Sequence, residues 1–184
     1  HSRPRADSEQ VQDPIAGYLG HFGKWVSLSA LIGVLGGLAA VVFKGMIELA
    51  REHLFVRFTG VTGEGLEAGA SGWIWVLIIP PLGGALVGWL IHTWAPETEG
   101  HGTDSVIRAY HRMKGVVRKR VIALKALTAA LTIGTGGSAG QEGPVAQGGA
   151  GIGASISSAL GLSDRDRRPF LLSGAAAGIG ALFC

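Results

Sequence analysis

Two long runs of uncharged residues, 25–43 and 68–96, most restrict the folds open to this chain. A helix needs roughly 20 mainly apolar residues to cross about 30 Å of hydrocarbon, so each run predicts a transmembrane helix. The first is expected to extend toward Leu49 as a long, tilted helix. Pro80 and Pro81 are expected to kink the second, which membrane helices tolerate where neighbours satisfy the freed carbonyls.

The composition supports a membrane protein. Only 16% of the residues are charged, whereas soluble domains carry about 25%. The 31 glycines lie inside apolar runs, where small residues let membrane helices approach closely. The sequence therefore predicts an all-α integral membrane protein with tilted and broken transmembrane helices.

The distribution of basic residues predicts an orientation. The polar segment 97–120 contains six of them: Arg108, Arg112, Lys114, Arg118, Lys119 and Arg120. The segment 51–71 has only two, and by the positive-inside rule it is an external loop, whereas residues 1–19 and 97–120 are cytoplasmic. Topology therefore explains the sequence pI near 9.4 without a nucleic-acid partner. Binding of anionic lipid by residues 118–120 is an alternative explanation of that basic cluster.

The pattern becomes irregular after Arg120. Residues 121–134 predict a short helix whose Lys125 reaches the lipid headgroups near its cytoplasmic end. Residues 134–144 contain too many glycines for a regular helix. A second apolar run, 145–162, predicts the next helix. Because non-helical backbone at membrane depth occurs only where protein or a cavity surrounds it, the loop predicts a transporter-like binding site.

The residues at the end of this loop suggest its chemistry. Pro144 suits the first turn of a helix, so the unpaired amides of that helix would open onto the loop. Such amides, with the helix dipole, form an anion site without a lysine or arginine. Glu142 would compete with an anion for this site, and protonation would remove the competition. The alternative is an ordinary acidic residue in a first turn, but carboxylates within membrane segments are functional by default.

Three motifs resemble one known family. The segment GSAGQEGPVAQGGAGIG resembles the signature G-[KR]-E-G-P of the CLC family of chloride channels and chloride/proton antiporters. The later LLSGAAAGIGALF resembles the start of that family's next helix, and the earlier APETEGHGT resembles its first anion-coordinating motif, usually G-S-G-I-P or G-H-G-x-P. The motifs occur in the family's order, and with the apolar runs the resemblance covers residues 20–184.

The resemblance implies chloride transport, by a voltage-gated channel or in exchange for protons, with no enzymatic activity, cofactor or metal. Glu142 aligns with the external gate and proton acceptor. The family works as a homodimer in the lipid bilayer, here expected in the plasma membrane (the inner membrane of a bacterium) with a cytoplasmic N-terminus. Backbone groups would line the anion pathway at two places: Gly100, His101, Gly102 and Thr103, and Gln141, Gly143, Pro144 and Val145.

The sequence departs from the family pattern at three positions. Gln141 replaces an arginine or lysine, which removes a positive charge beside the gate. His101 stands where a serine often coordinates the ion, so its imidazole or only its backbone would serve. Asp104 stands where proline is common and is expected to open a short helix, residues 104–113.

The family has about twice as many membrane segments, arranged as two inverted repeats. This chain is expected to be a truncated first repeat, because it stops at Cys184 within an apolar run. It is divided into a cytoplasmic segment, residues 1–19, and the N-terminal part of a membrane domain, residues 20–184. The second half of the ion site and the inner glutamate of exchangers would lie beyond Cys184.

Other functions fit the sequence less well. The motif G-x-S-x-G around Ser138 matches the nucleophile elbow of serine hydrolases, but a triad needs a base and the membrane runs contain only His92. A structural membrane subunit would not need an acidic residue in a glycine-rich break. A fluoride- or nitrate-selective member of the same family is the nearest alternative. One cysteine and scattered histidines predict no metal site.

Overall fold

A computed structural model describes residues 14–62, 65–66 and 72–183. The first helix, α1, is longer than expected and covers Pro14–Ala50. It continues through a π-helical turn, Arg51–Val56, into the short helix α2, Arg57–Thr59. The prediction that the external loop begins at Arg51 is therefore wrong.

The loop begins at Gly60 because the backbone there turns left-handed, with φ of 67°, a conformation that glycine adopts without steric cost. The side chain of Thr59 fixes this end of the helix. Its hydroxyl donates to the carbonyl of Phe55 at 2.7 Å and accepts from the amide of Val61 at 3.2 Å. The charged residues Arg51 and Glu52 are exposed to the surroundings while their backbone remains helical, so their charge does not end the helix.

Two short antiparallel strands, β1 (Val61–Thr62) and β2 (Gly65–Leu66), follow and were not expected. Helix α3 covers Gly72–Trp94 and includes both prolines; the kink expected there stays a prediction. The start of the predicted run, residues 68–71, and residues 1–13 of the predicted cytoplasmic segment lie outside the described residues. Helix α1 already begins six residues before the boundary predicted at Gly20.

Four shorter helices complete the chain and match the expected helices with shifted ends. They are α4 (Thr103–His111), α5 (Lys119–Gly134), α6 (Glu142–Ala159) and α7 (Asp164–Phe183). The basic segment 164–168 is helical and begins α7. Ser163 stabilises that start, since its hydroxyl accepts from the amide of Asp166 at 3.3 Å.

Helix α6 lies at the centre of the chain, packed against α1, α4, α5 and α7. Its contact with α7 is made by backbone: a Cβ added to Gly149 would collide with the carbonyl oxygen of Gly174, and the converse also holds. Gly153 meets the carbonyl of Phe170 in the same way. The two helices therefore pack as closely as small-residue membrane helices do.

Among the described residues, two helices are long and apolar enough to cross a membrane, 22–59 and Gly72–Trp94. Most residues of both helices are not buried within this chain. In the most apolar stretch of each, 22% and 11% of the residues are buried. The prediction of an all-α membrane fold is confirmed, with the two short strands as its one addition.

Candidate anion site

The connection between α3 and α4 does not remain on the surface. A single 3₁₀ turn, Pro96–Thr98, ends at a threonine that is 1% exposed, and its hydroxyl donates to the carbonyl of Ala95 at 2.7 Å. Gly100 and Gly102 then adopt φ of 92° and 95°, which glycine alone adopts readily. These two residues turn the chain into α4, and Gly102, the residue immediately before that helix, is buried.

Lys125 lies in the interior and holds this connection in place. Its side chain is 9% exposed, and its ammonium donates to the carbonyl of Thr98 at 3.0 Å and to the carbonyl of Gly100. The prediction that Lys125 reaches the lipid headgroups is therefore wrong. The carbonyls of Thr98 and Gly100 give its ammonium charged hydrogen bonds within the protein.

The glycine-rich loop is non-helical from Thr135 to Gln141, and α6 begins at Glu142. Glu142 was expected to precede the helix, but it is the first helical residue. Gly143 and Pro144 follow it in the first turn. The amide of Val145 already donates to the carbonyl of Gln141 at 3.1 Å. Pro144 and Val145 therefore offer no free amide to an ion.

The starts of α4 and α6 meet at a single point. A Cβ added to Gly143 would collide with the carbonyl oxygen of His101, and one added to Gly102 would lie 2.7 Å from the carbonyl oxygen of Gly143. Gly102 is the residue immediately before α4. We call this contact of His101 and Gly102 with Gly143 the junction. Both of its sides require glycine.

The junction brings together the positive ends of two helix dipoles. Within the part of the chain that the structure describes, no backbone or side-chain acceptor binds the amides of Thr103, Asp104, Glu142 or Gly143. Unpaired amides at helix N-termini are the groups that bind anions in proteins. The two predicted halves of the site, distant in sequence, are therefore adjacent, and each offers donors.

The side chains around the junction differ in their exposure. His101 and Glu142 are exposed, Gln141 is half-buried, and none of the three forms a side-chain hydrogen bond to another described residue. The Glu142 carboxylate turns back over Gly140, whose added Cβ it would block. The Glu142 carboxylate is therefore open to solvent and has no fixed partner among the described residues.

The structure adds nothing to the hydrolase alternative. Ser138 is exposed in the non-helical loop, and its hydroxyl forms no hydrogen bond with a histidine or carboxylate of the described residues. No group of three or more histidine, cysteine, aspartate or glutamate residues suited to a metal was found among those residues either.

Two buried polar residues near the junction were missed or misplaced from sequence. Lys125 was assigned to the headgroups, although a lone charge within an apolar run already indicated an internal partner. Gln147 was not singled out; its signal was the one long polar side chain beyond the first turn of a helix otherwise built there of glycine, alanine, serine and aliphatic residues.

Long apolar helices, a non-helical loop between two further helices, and helix starts that meet at a glycine contact define a polytopic membrane protein of the channel and transporter class. A family model described as "Voltage gated chloride channel" matches residues 83–184. The chain belongs to this family, the CLC family.

Curated relatives extend the similarity to most of the chain. Over 163 residues it is 32% identical to Chloride channel protein CLC-e of Arabidopsis thaliana, which covers 86% of this chain and 22% of that protein. Over 177 residues it is 32% identical to the H(+)/Cl(-) exchange transporter ClcA of Vibrio vulnificus, covering 94% and 37%. The Cronobacter sakazakii ClcA is 33% identical over 162 residues, covering 85% and 33%. The chain thus spans well under half the length of these relatives.

Proposed function

We propose that the full-length protein moves chloride across a membrane, either passively or in exchange for protons, and that this chain supplies one side of the ion pathway. The observation that carries the proposal is the junction, where the N-termini of α4 and α6 meet with unbonded amides on both sides. The names of the relatives, a chloride channel and H(+)/Cl(-) exchangers, agree with this proposal.

Backbone amides suit conduction because they bind an anion moderately. An ion must enter the site and also leave it, and neutral dipoles achieve this better than a fixed ion pair would. The ammonium of Lys125 adds a positive charge behind Gly100, and both of its recorded partners are neutral carbonyls. Its field therefore favours an anion at the junction without a direct salt bridge.

Glu142 is proposed as the gate and proton acceptor. Its backbone amide belongs to the site, and its carboxylate is exposed and unpaired among the described residues. A short rotation would bring this negative group to the amides that bind the transported anion. Protonation removes the charge and with it the competition, so acid would open the pathway.

The test is anion flux from liposomes containing the full-length protein, measured with Glu142→Gln. We expect chloride efflux to become insensitive to pH and proton coupling to be lost, because glutamine cannot change its charge. Glu52→Gln, an exposed carboxylate in the π-helical turn, is the matched control and should retain the wild-type pH response. An unchanged pH response in Glu142→Gln would refute the gate.

A panel of chloride, fluoride, nitrate and thiocyanate in the same assay determines which anion is transported. Faster fluoride or nitrate flux than chloride flux would replace the proposed substrate while leaving the anion pathway intact.

We further propose a homodimer in the plasma membrane, the inner membrane of a bacterium, with residues 1–19 in the cytoplasm. A single cysteine introduced as Ser8→Cys, with Cys184 and any further native cysteine of the full-length protein replaced by serine, should resist a membrane-impermeant maleimide in intact cells and react after lysis. Mass measurement in detergent should give twice the protomer mass.

A further inference from the structure

Gln147 carries a polar group that neither the fold nor the proposed gate uses. It lies on α6 one turn after Gly143 and is 1% exposed. Neither its Oε1 nor its Nε2 has a hydrogen-bond partner among the described residues. Buried side-chain polar atoms are nearly always bonded, so an unbonded carboxamide in a packed helix calls for an explanation such as a bound ion.

The position of this carboxamide supplies the explanation. Its Oε1 lies 3.0 Å from a Cβ added to Gly102, the same glycine whose added Cβ would lie 2.7 Å from the carbonyl oxygen of Gly143. Gln147 therefore points at the junction from inside the protein, whereas Glu142 is exposed to solvent. The two side chains approach the junction from different sides.

We propose that Gln147 is a further ligand of the anion pathway, whose carboxamide N–H donates to an anion that lies beside the junction, against the unbonded amides of the two helix starts. This inference rests on the proposed function. Rotation of the carboxamide by half a turn exchanges its oxygen and nitrogen, so either can face Gly102. An anion accepts only from the nitrogen, and so its arrival selects one orientation.

A neutral N–H donor distinguishes between anions. The hydrogen bond is strongest to a small anion of concentrated charge and weakest to a large, diffuse one. Gln147 therefore favours chloride over thiocyanate at the junction, and the ratio of their fluxes reports its contribution. Because a carboxamide does not titrate, this preference is independent of the protonation of Glu142.

The experiment measures chloride affinity by calorimetry, and chloride and thiocyanate flux in liposomes, for the full-length protein and Gln147→Met. Methionine keeps the length of the side chain and removes both polar atoms. We expect chloride affinity to fall about tenfold or more, as for the loss of a hydrogen bond to a charged group. The chloride-to-thiocyanate flux ratio should fall with it, whereas the unfolding temperature should stay equal or rise because two unsatisfied atoms are gone.

Ser157→Ala is the matched control. Ser157 is equally buried on the same helix, but its hydroxyl is satisfied locally by the carbonyls of Gly153 at 2.8 Å and Ala154 at 3.1 Å. Its removal should leave chloride affinity and the flux ratio unchanged. Gln147→Leu is a second variant with a different apolar shape and the same expected losses.

The outcomes separate this inference from the function on which it rests. Wild-type chloride affinity in a folded Gln147→Met or Gln147→Leu protein would overturn the role of Gln147 and leave the proposed function standing. Loss of folded protein in both variants would make Gln147 structural and overturn it as well. Wild-type protein that neither binds nor moves chloride would overturn both.

Discussion

Helices α3 and α6 differ in almost every respect that decides where a membrane helix lies. Helix α3 is built of large apolar residues, and Leu77 on it is 76% exposed. Helix α6 is built of small residues, is not among the two described helices apolar enough to cross a membrane, and yet lies at the centre of the chain. Large apolar side chains lie on the outside of the described chain, whereas glycines lie at the contacts between its central helices.

This difference between α3 and α6 follows from the properties of lipid as the solvent of a membrane protein. Lipid is as apolar as leucine, so burial of a leucine against another helix gains little, and close backbone packing decides which helices associate. The glycines of α6 permit that packing, and they also let His101 and Gly102 approach its first turn. A helix built largely of small residues therefore makes the central packing contacts and one side of the junction.

The strongest test of this comparison is Gly149→Ala. Its Cβ would collide with the carbonyl of Gly174, which is backbone and cannot rotate away, so α6 and α7 must separate. Overpacking of this kind costs about 3 kcal/mol or more, and we expect little folded protein. Thermal unfolding in detergent is the measurement.

Gly148→Ala is the control for that variant, because nothing lies within 4 Å of the added Cβ on the same helix. Alanine is a better helix former than glycine by about 1 kcal/mol, so the unfolding temperature should hold or rise. Equal unfolding temperatures for the two variants would contradict the close contact of α6 and α7.

Lys125→Met should have the next largest effect. It leaves the carbonyls of Thr98 and Gly100 without their donor, and the loss of a charged hydrogen bond at a buried site costs about 2 kcal/mol. Chloride affinity should fall too. Lys119→Met, an exposed lysine at the start of α5, should stay within about 0.5 kcal/mol of wild type. If Lys125→Met unfolds no earlier than this control, the lysine does not hold the connection.

Gly83→Ala tests the contact of α3 with the end of α5. The added Cβ would collide with the side chain of Thr135 at the end of α5, and a partly mobile side chain gives way more cheaply than backbone. We expect a loss of about 1 kcal/mol in thermal or denaturant unfolding. Gly84→Ala, with no atom within 4 Å, should show no loss. Similar losses in both would show that the contact is not specific to Gly83.

Leu77→Ala should have the smallest effect, within about 0.5 kcal/mol of wild type, because its side chain makes few contacts within this chain. Leu82→Ala, at a leucine that is 62% exposed on the same helix, is a second measurement of the same surface. A loss above about 2 kcal/mol for either one, measured on the full-length protein, would show that protein rather than lipid covers α3.

The helices of this fold were predictable because their signals are local. The uncharged runs predicted α1 and α3, and Pro144 with the glycines before it placed the start of α6 within three residues. The turn at Gly60 was missed. The charged residues of the π-helical turn suggested that the loop begins at Arg51, but the helix continues until the left-handed Gly60. The partners of Lys125 and the approach of His101 to Gly143 depend on residues far apart in sequence, and no local pattern specifies them.

The anion-site residues show the same division. The resemblance to the CLC motifs selected both sides of the junction, but it did not distinguish residues with a free amide from those without one. Val145 is engaged with Gln141, and Pro144 has no N–H. Gln147 follows the motif by one helical turn and lies at the same glycine contact. Only the geometry of the first turn of α6 makes these distinctions.

The close backbone contact of His101 with Gly143 affects which motions can open the pathway and how fast they are. With no space between the two backbones, neither α4 nor α6 can shift at this point without the other. The motion that remains is rotation of an exposed side chain, and such rotations take picoseconds to nanoseconds, whereas helix displacements take microseconds or longer. We therefore expect Glu142 to exchange between its positions far faster than an ion crosses, so that the lifetime of its proton, rather than movement of the fold, sets the pace of opening.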